Sequence, residues 1–490
     1  METRAASNRA LEVRSWRALW AMMIGLFLVL IDTTSVTVAL PQIMAQMRTG
    51  YAAAIWVNSA YLLAYAVPLL AAGRLGDHFG PKKLYLVGLG VFTTGSLCCG
   101  LAGSIDMLIA ARAAQGLGAA AVAPQTLSII IQIFPPERRG VAVSIWGANS
   151  GLATVAGPLI GGLLVQHFGW QWIFLVNLPI GAVGFILVAV LVPAIPTHKQ
   201  HFDLLGVTLS GIALFLIVFA LQESDANGWA LWIWTMIAAG VVTLTVFVYT
   251  QSVKEREPLV PPRLFLDRNF SLALAGVAVV RFVVTATLLP LMFYAQLVCE
   301  LSPARAAVLM VPMGVVNLLL APAAGRIIDR SHPRPVVGFG FSTLAIALTW
   351  LSIEATPTTP IWRLVLPIAT IGVGTAFLWA PLAATATRNL PAHLAGAGSG
   401  VFTSVRQVGA ALGSSSMAAF MTTRIFAENP MLATEQRHSE DAQVALPTTL
   451  HDPFAAAMSQ SMLLPAFVAL LGITAALFLR DTNRPAAAVS

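Results

Sequence analysis

The chain has 490 residues, of which 57% are hydrophobic and only 10% charged, with a net charge of +7. Soluble domains carry about 25% charged residues, so a water-soluble globule is excluded, and disorder is excluded by the same abundance of apolar residues. A basic balance in a soluble chain would suggest nucleic acid; here no nucleic-acid partner is expected, because cytoplasmic loops of membrane proteins collect Lys and Arg.

The first apolar run, Ala18 to Leu40, follows Arg4, Arg9, Arg14 and Arg17. It is long enough to span a bilayer and longer than the core of a signal peptide. It is read as a retained helix after a cytoplasmic segment, residues 1–17. Further runs follow at 54–73, 84–103, 107–131, 140–166, 172–193, 205–222, 230–250, 270–297, 304–325, 335–353, 361–386, 399–424 and 462–479. The expected fold is an all-α polytopic membrane protein with fourteen transmembrane helices. A cytoplasmic N-terminus places 20 of the 28 Lys and Arg in cytoplasmic segments and five in external ones, a strong positive-inside bias.

Gly73-Arg74-Leu75-Gly76-Asp77 follows the second run, and Gly325-Arg326-Ile327-Ile328-Asp329 follows the tenth. This weak repeat divides the chain into a six-helix bundle at 18–193, two inserted helices at 205–250 and a second six-helix bundle at 270–479, with a cytoplasmic tail at 480–490. An external loop is expected at 425–461. Two similar halves are a transporter architecture, with the substrate site between them.

Charged groups inside a span are costly, so they mark functional sites by default. Asp32 lies well inside the first span. Arg112 and Gln115 share a face of the fourth at i, i+3, and the depth count puts all three at one level. Burial favours the protonated carboxyl and a neighbouring guanidinium the ionised one, so Asp32 is a tunable proton site. A cation docking there would expel the proton, which is what antiport needs; the role requires Asp32 to be reachable from water. The alternative is a fixed ion pair holding helices together.

Cavity candidates are Asn58, Tyr61 and Tyr65 on the second span, Gln115 on the fourth, and Trp146 and Asn149 on the fifth. Arg281 and Arg406 lie inside the ninth and thirteenth. One clear acid against three arginines argues for monovalent, zwitterionic or neutral amphiphiles, or some anions, over dications. Gly157-Pro158-Leu159-Ile160-Gly161-Gly162 predicts a kinked, closely packed helix. Cys98, Cys99 and Cys299 form no metal-ligand spacing, the histidines are scattered, and neither metal nor cofactor is expected. No nucleotide phosphate loop is present, so a proton gradient is the expected energy source. No nucleophile, base or metal cluster suggests an enzyme.

These motifs resemble the major facilitator superfamily, and within it the 14-span bacterial drug:proton antiporters. Leu30-Ile31-Asp32-Thr33 to Pro41 is similar to that family's L-D-x-T-x-x-N-x-A-L-P, with Thr37 for Asn. Gly73 to Lys83 is similar to G-x-L-a-D-r-x-G-r-k, with His78 and Pro81 in place of two arginines. Arg112 to Gly118 resembles R-x-x-Q-G-x-G, linked in the family to proton coupling. Gly157 to Gly162 resembles the antiporter motif G-P-x-x-G-G. Phe168 to Gly181 resembles W-R-W-x-F-x-x-N-x-P-x-G, with Gln171 for Arg, and Arg406-Gln407-Val408-Gly409 resembles R-Q-x-G.

The resemblance implies proton-coupled efflux of hydrophobic or amphiphilic drugs across the bacterial inner membrane by alternating access, both termini cytoplasmic, acting as a monomer. Its partners would be small amphiphiles, protons and the lipid bilayer. It assigns proton coupling to Asp32 and Arg112, and a cytoplasmic gate to Gly73, Asp77, Gly80, Lys82 and Lys83. It assigns the antiporter motif to Gly157, Pro158, Gly161 and Gly162. The alternative is a dedicated exporter of one endogenous metabolite, such as an antibiotic, lipid or siderophore.

Overall fold

The computed structural model describes residues 2–195, 203–224, 229–253, 260, 262–387, 395–428 and 448–480. Among them are eighteen α-helices. They are α1 (Glu2–Met47), α2 (Tyr51–Ala66), α3 (Leu69–Phe79), α4 (Pro81–Gly100), α5 (Ile105–Ile133) and α6 (Pro136–Phe168). Next come α7 (Trp172–Leu175), α8 (Asn177–Leu191), α9 (Leu204–Glu223), α10 (Leu231–Val253), α11 (Arg268–Phe293) and α12 (Pro303–Val308). The last six are α13 (Val311–Arg330), α14 (Pro333–Glu354), α15 (Ile361–Thr387), α16 (Ala395–Glu428), α17 (His451–Ser461) and α18 (Leu463–Leu477).

Eleven helical segments among the described residues are long and apolar enough to cross a membrane. Helix α6 (33 residues) and helix α16 (34 residues) are long enough as well but are not among those eleven. Helix α2 is apolar but short, because Pro68 interrupts the run between Ala66 and Leu69. A proline supplies no N–H to continue a helix. The loop expected at 425–461 is shorter at both ends. Helix α16 runs to Glu428 and α17 starts at His451, since hydropathy alone does not register the polar-faced helix that buries Phe454, Ala457 and Met458. Positions 429–447 lie outside the described residues.

Helix starts carry local signals. Ser104 Oγ accepts from Met107 N–H and Asp203 Oδ1 from Gly206 N–H, both N-caps. Proline opens α4, α6, α12 and α14, where its missing N–H costs nothing. Helix α3 ends at Gly80, whose φ of 97° suits glycine alone without strain.

The helices pair in the same order in two halves. In α1–α8, α1 packs on α6 and α8, and α5 packs on α2 and α4. In α11–α18, α11 packs on α16 and α18, and α15 packs on α13 and α14. Helices α9 and α10 pair with one another, and α9 touches α2 and α16. Only 22% and 17% of their apolar windows are buried, so the inserted pair sits at the edge. Exposed apolar side chains such as Val190, Leu231, Leu319, Ile353 and Phe467 give the bundle an outer surface suited to lipid.

The halves meet firmly at the face where α1 ends, called here the distal face. Gln296 Nε2 donates to Val38 O at 2.9 Å. The Tyr51 ring lies 5.6 Å from Phe293 and 5.8 Å from Phe454.

Candidate functional site

Asp32 on α1 and Arg112 and Gln115 on α5 form one buried cluster. Arg112 Nη1 donates to Asp32 Oδ2 and to Gln115 Oε1 at 2.7 Å. Gln115 Nε2 donates to Asp32 Oδ1 at 2.9 Å and to Ser96 Oγ at 3.2 Å. Asn177 Nδ2 donates to the same hydroxyl at 2.9 Å. Arg112 Nε reaches Val57 O at 3.0 Å, and its guanidinium lies 4.1 Å over the Tyr61 ring. A buried ion pair survives only when further hydrogen bonds satisfy its remaining polar atoms. Three helices beyond α1 and α5 supply such bonds here, leaving Arg112 Nη2 without a partner among the described residues.

Asp32 is 1% exposed and both Arg112 and Gln115 are 0% exposed. The expectation that Asp32 faces a water-filled space is therefore not met in this conformation. Its side chain turns to α5, while Thr33, Thr34 and Thr37 on the same helix turn to the cavity between the halves. A docked cation would meet threonines at this wall, not the carboxylate.

That cavity leaves about 50 Å3 for the centres of water-sized molecules. Asn58 and Leu62 of α2 and Pro158 of α6 complete its first side; Arg281, Leu288, Met310 and Ile371 are among the residues of the second. Tyr61 and Tyr65 are buried beside it rather than on it. Tyr61 Oη donates to Val29 O at 3.1 Å, and the two rings meet edge to face at 5.9 Å. Asn58 and Ser59 also reach Ser414 Oγ across the halves, at 3.5 and 3.2 Å. Asn149 Nδ2 donates to Met23 O at 3.4 Å, and Trp146 is half-buried against an apolar cluster built mainly from its own half. Arg281 and Arg406 lie within electrostatic range of each other.

The glycines at 157–162 hold α6 against two partners. A Cβ on Gly157 would lie 3.1 Å from Ile31 O, and one on Gly161 would lie 2.7 Å from Ser35 Cβ. Both clasp α1 beside Asp32. Gly162 faces the other half: a Cβ there would lie 2.7 Å from Pro303 O and 2.9 Å from Ala304 Cα.

In the 73–83 segment, Gly80 ends α3 as described, and Gly73 has open space around it. Lys82 Nζ donates to Ala189 O at 2.8 Å and Val192 O at 2.6 Å, closing the end of α8, where helix carbonyls lack partners. Lys83 is exposed. The Asp77 side chain lies outside the described residues.

Ser96, Asn177, Gln296 and Ser414 were not singled out from sequence. Asn177 stood in a quoted motif; small polar residues such as Ser96 and Ser414 carry no signal in an apolar run. Among the described residues no group of His, Cys, Asp or Glu could hold a metal ion.

A family model described as Major Facilitator Superfamily matches residues 22–414. The chain is 58% identical over 96% of its length, and 82% of the relative's, to an uncharacterized MFS-type transporter of Mycobacterium tuberculosis. It is 32% identical to the tetracenomycin C resistance and export protein of Streptomyces glaucescens, over 84% of this chain and 77% of that one. Among solved structures it is similar to a bacterial homolog of the human lysosomal transporter Spinster, with TM-score 0.64 and 18% identity, over 94% of this chain and 96% of that one. The repeated helix pairing, the cavity between halves and these matches agree: the chain belongs to the major facilitator superfamily, a family of transporters and not of enzymes.

Proposed function

We propose that the chain is a proton-coupled exporter of hydrophobic or amphiphilic compounds, working in the bacterial inner membrane by alternating access. The observation that carries this reading is the Asp32–Arg112–Gln115 cluster, a buried carboxylate one residue from the wall of the central cavity. A proton delivered to Asp32 removes the charge that Arg112 neutralises, and the two requirements for a stable buried pair no longer hold. Helix α1 is clasped at Ile31, Thr34 and Ser35 by the glycines of α6, so a change at Asp32 is felt where the halves close. The sealed conformation seen here would exchange protons at Asp32 only after the cluster opens.

Helices α2–α3, α6 and α16 complete fourteen spans in this reading, with both termini cytoplasmic and the distal face external. A distal face already closed makes this the form that loads from the cytoplasmic side. No cofactor is required, because an inward proton releases about 2.3 kcal/mol per 100 mV of potential. The chain acts on small amphiphiles as a monomer in the bilayer.

Asp32→Asn tests the reading. The variant should reach the membrane in normal amount and lose proton-driven efflux; full efflux at normal expression removes Asp32 from the mechanism. A second reading, export of one endogenous metabolite, draws on the relative whose name couples resistance with export of a single compound. A deletion strain tested against unrelated compounds separates them: hypersensitivity to several supports broad efflux, and to none the dedicated exporter.

A further inference from the structure

The cavity between the halves has an unusual charge. Among the described residues, Arg281 is the only charged one on its wall. Its Nε is buried without a hydrogen-bond partner, and so is that of Arg406. Neither arginine is ion-paired among the described residues, unlike Arg112 with Asp32 and Arg363 with Glu354.

The helix register places the two arginines along one path. Gly409 meets Ala278 O, and Gly413 meets Phe282 O, so α11 and α16 run parallel there with Arg281 level with residue 412. Arg406 is six residues below that, about 9 Å nearer the face where α1 begins. Arg281, Arg406 and Tyr65 act electrostatically on one another. Among the described residues the groups acting on Arg281 are Arg406, Tyr65 and Tyr61, none of them a carboxylate. The acid of the first half is already occupied by Arg112.

Two uncompensated guanidiniums at membrane depth are costly, and they repel one another. A ligand anion removes both penalties. Arginine also offers a fork of donors matched to carboxylate, sulfonate or phosphate oxygens. The remaining wall supplies hydroxyls at Thr33, Thr34 and Thr37 and an apolar, adaptable surface at Met310 and Met313.

We propose that this cavity selects amphiphiles bearing one compact anionic group, which Arg281 holds and Arg406 attracts from the side where α1 begins, with the apolar body against α13. The inference names a substrate class for the exporter reading and rests on it only for the direction of transport. A cation, by contrast, meets Arg281 and, among the described residues, no carboxylate on the wall.

The test is equilibrium binding to the purified full chain in lipid nanodiscs, with no gradient. The probes are dansyl-undecanoic acid and its methyl ester, followed by dansyl fluorescence. The acid should bind at least about tenfold tighter than the ester, the worth of one charge-assisted hydrogen bond. Arg281→Gln should bring that ratio to within about twofold, Arg281→Lys should keep part of it, and Arg406→Gln should lower it less than Arg281→Gln. Equal binding of acid and ester by the unaltered chain overturns the proposal, as does a ratio unchanged in Arg281→Gln. On the unaltered chain, decanesulfonate below its micellar concentration should displace the acid and decyltrimethylammonium should not; the reverse order also overturns it. Acid-selective binding without proton-driven efflux would keep this site and dismiss the antiport reading, so the two can fail separately.

Discussion

Asp32→Asn keeps the shape of the side chain and removes the charge opposite Arg112. Its new amide would place N–H groups toward Arg112 or Gln115, both of which now donate to the carboxylate. Breaking a fully buried ion pair from one side costs about 3–5 kcal/mol. The lower end applies here, because Arg112 keeps Val57 O at 3.0 Å, Gln115 Oε1 at 2.7 Å and the Tyr61 ring at 4.1 Å. If the pair holds this conformation alone, a loss of about 3 kcal/mol shifts the balance between conformations by roughly 150-fold. A double-mutant cycle with Arg112→Gln measures the pair itself. Unfolding of the purified variants in mixed micelles should give a coupling energy of about 2 kcal/mol, with the double variant less destabilised than the sum of the singles. Coupling below about 0.5 kcal/mol, the ordinary error of additivity, would refute the idea that this pair stores the energy of the switch.

Three further outcomes follow from named contacts. Gly162→Val adds methyls where a Cβ alone would already sit 2.7 Å from Pro303 O, an overpacking worth about 1–3 kcal/mol. With the native cysteines replaced, it should raise maleimide labelling of a cysteine at position 58 from the distal side; unchanged labelling means that α6 and α12 do not form the seal. Lys82→Met releases the carbonyls of Ala189 and Val192. Lys82 is half-buried, so the loss should be about 0.5–1 kcal/mol, with faster hydrogen exchange confined to the end of α8. Finally, an exported monoanion and an entering proton both move down an inside-negative potential, each worth about 2.3 kcal/mol per 100 mV. A potential imposed by potassium and valinomycin, without a pH gradient, should therefore accelerate efflux of an acidic dye more than that of a neutral one. Equal acceleration would show that the anion's charge does not travel.

Much of the site was legible because charge is conspicuous in an apolar chain. Asp32, Arg112 and Gln115 could be placed at one depth by counting residues from the span ends, and the structure joins them directly. Depth does not fix direction around a helix. Whether Asp32 or its neighbour Thr33 faces the cavity depends on how α1 rotates against α5 and α6, which is settled by packing at Gly157 and Gly161. The same limit applies to Arg281: its depth is evident in the sequence, but the cavity it lines is assembled from both halves. Tyr61 and Tyr65 follow the spacing of Asn58 along one helix, yet Arg112 of α5 covers Tyr61 and the Tyr65 ring packs on Tyr61. The polar start of the last span was missed because His451, Asp452 and Gln460 hide a helix whose other face is apolar. Helix α2 was drawn through Pro68 because apolarity continues across it. Gln115 and Asn177 meet at the Ser96 hydroxyl from different helices, so the role of Ser96 and Asn177 exists in three dimensions and not in any local pattern.

The most direct measurement is proton flux in proteoliposomes carrying a trapped pH dye, at fixed membrane potential, with an amphiphilic acid added on one side. The account predicts that the added compound drives proton movement opposite to its own, and that Asp32→Asn, inserted in equal amount, shows neither movement above the rate of empty vesicles. Substrate transport by the unaltered chain without any proton movement, or identical coupled fluxes in Asp32→Asn, would contradict it.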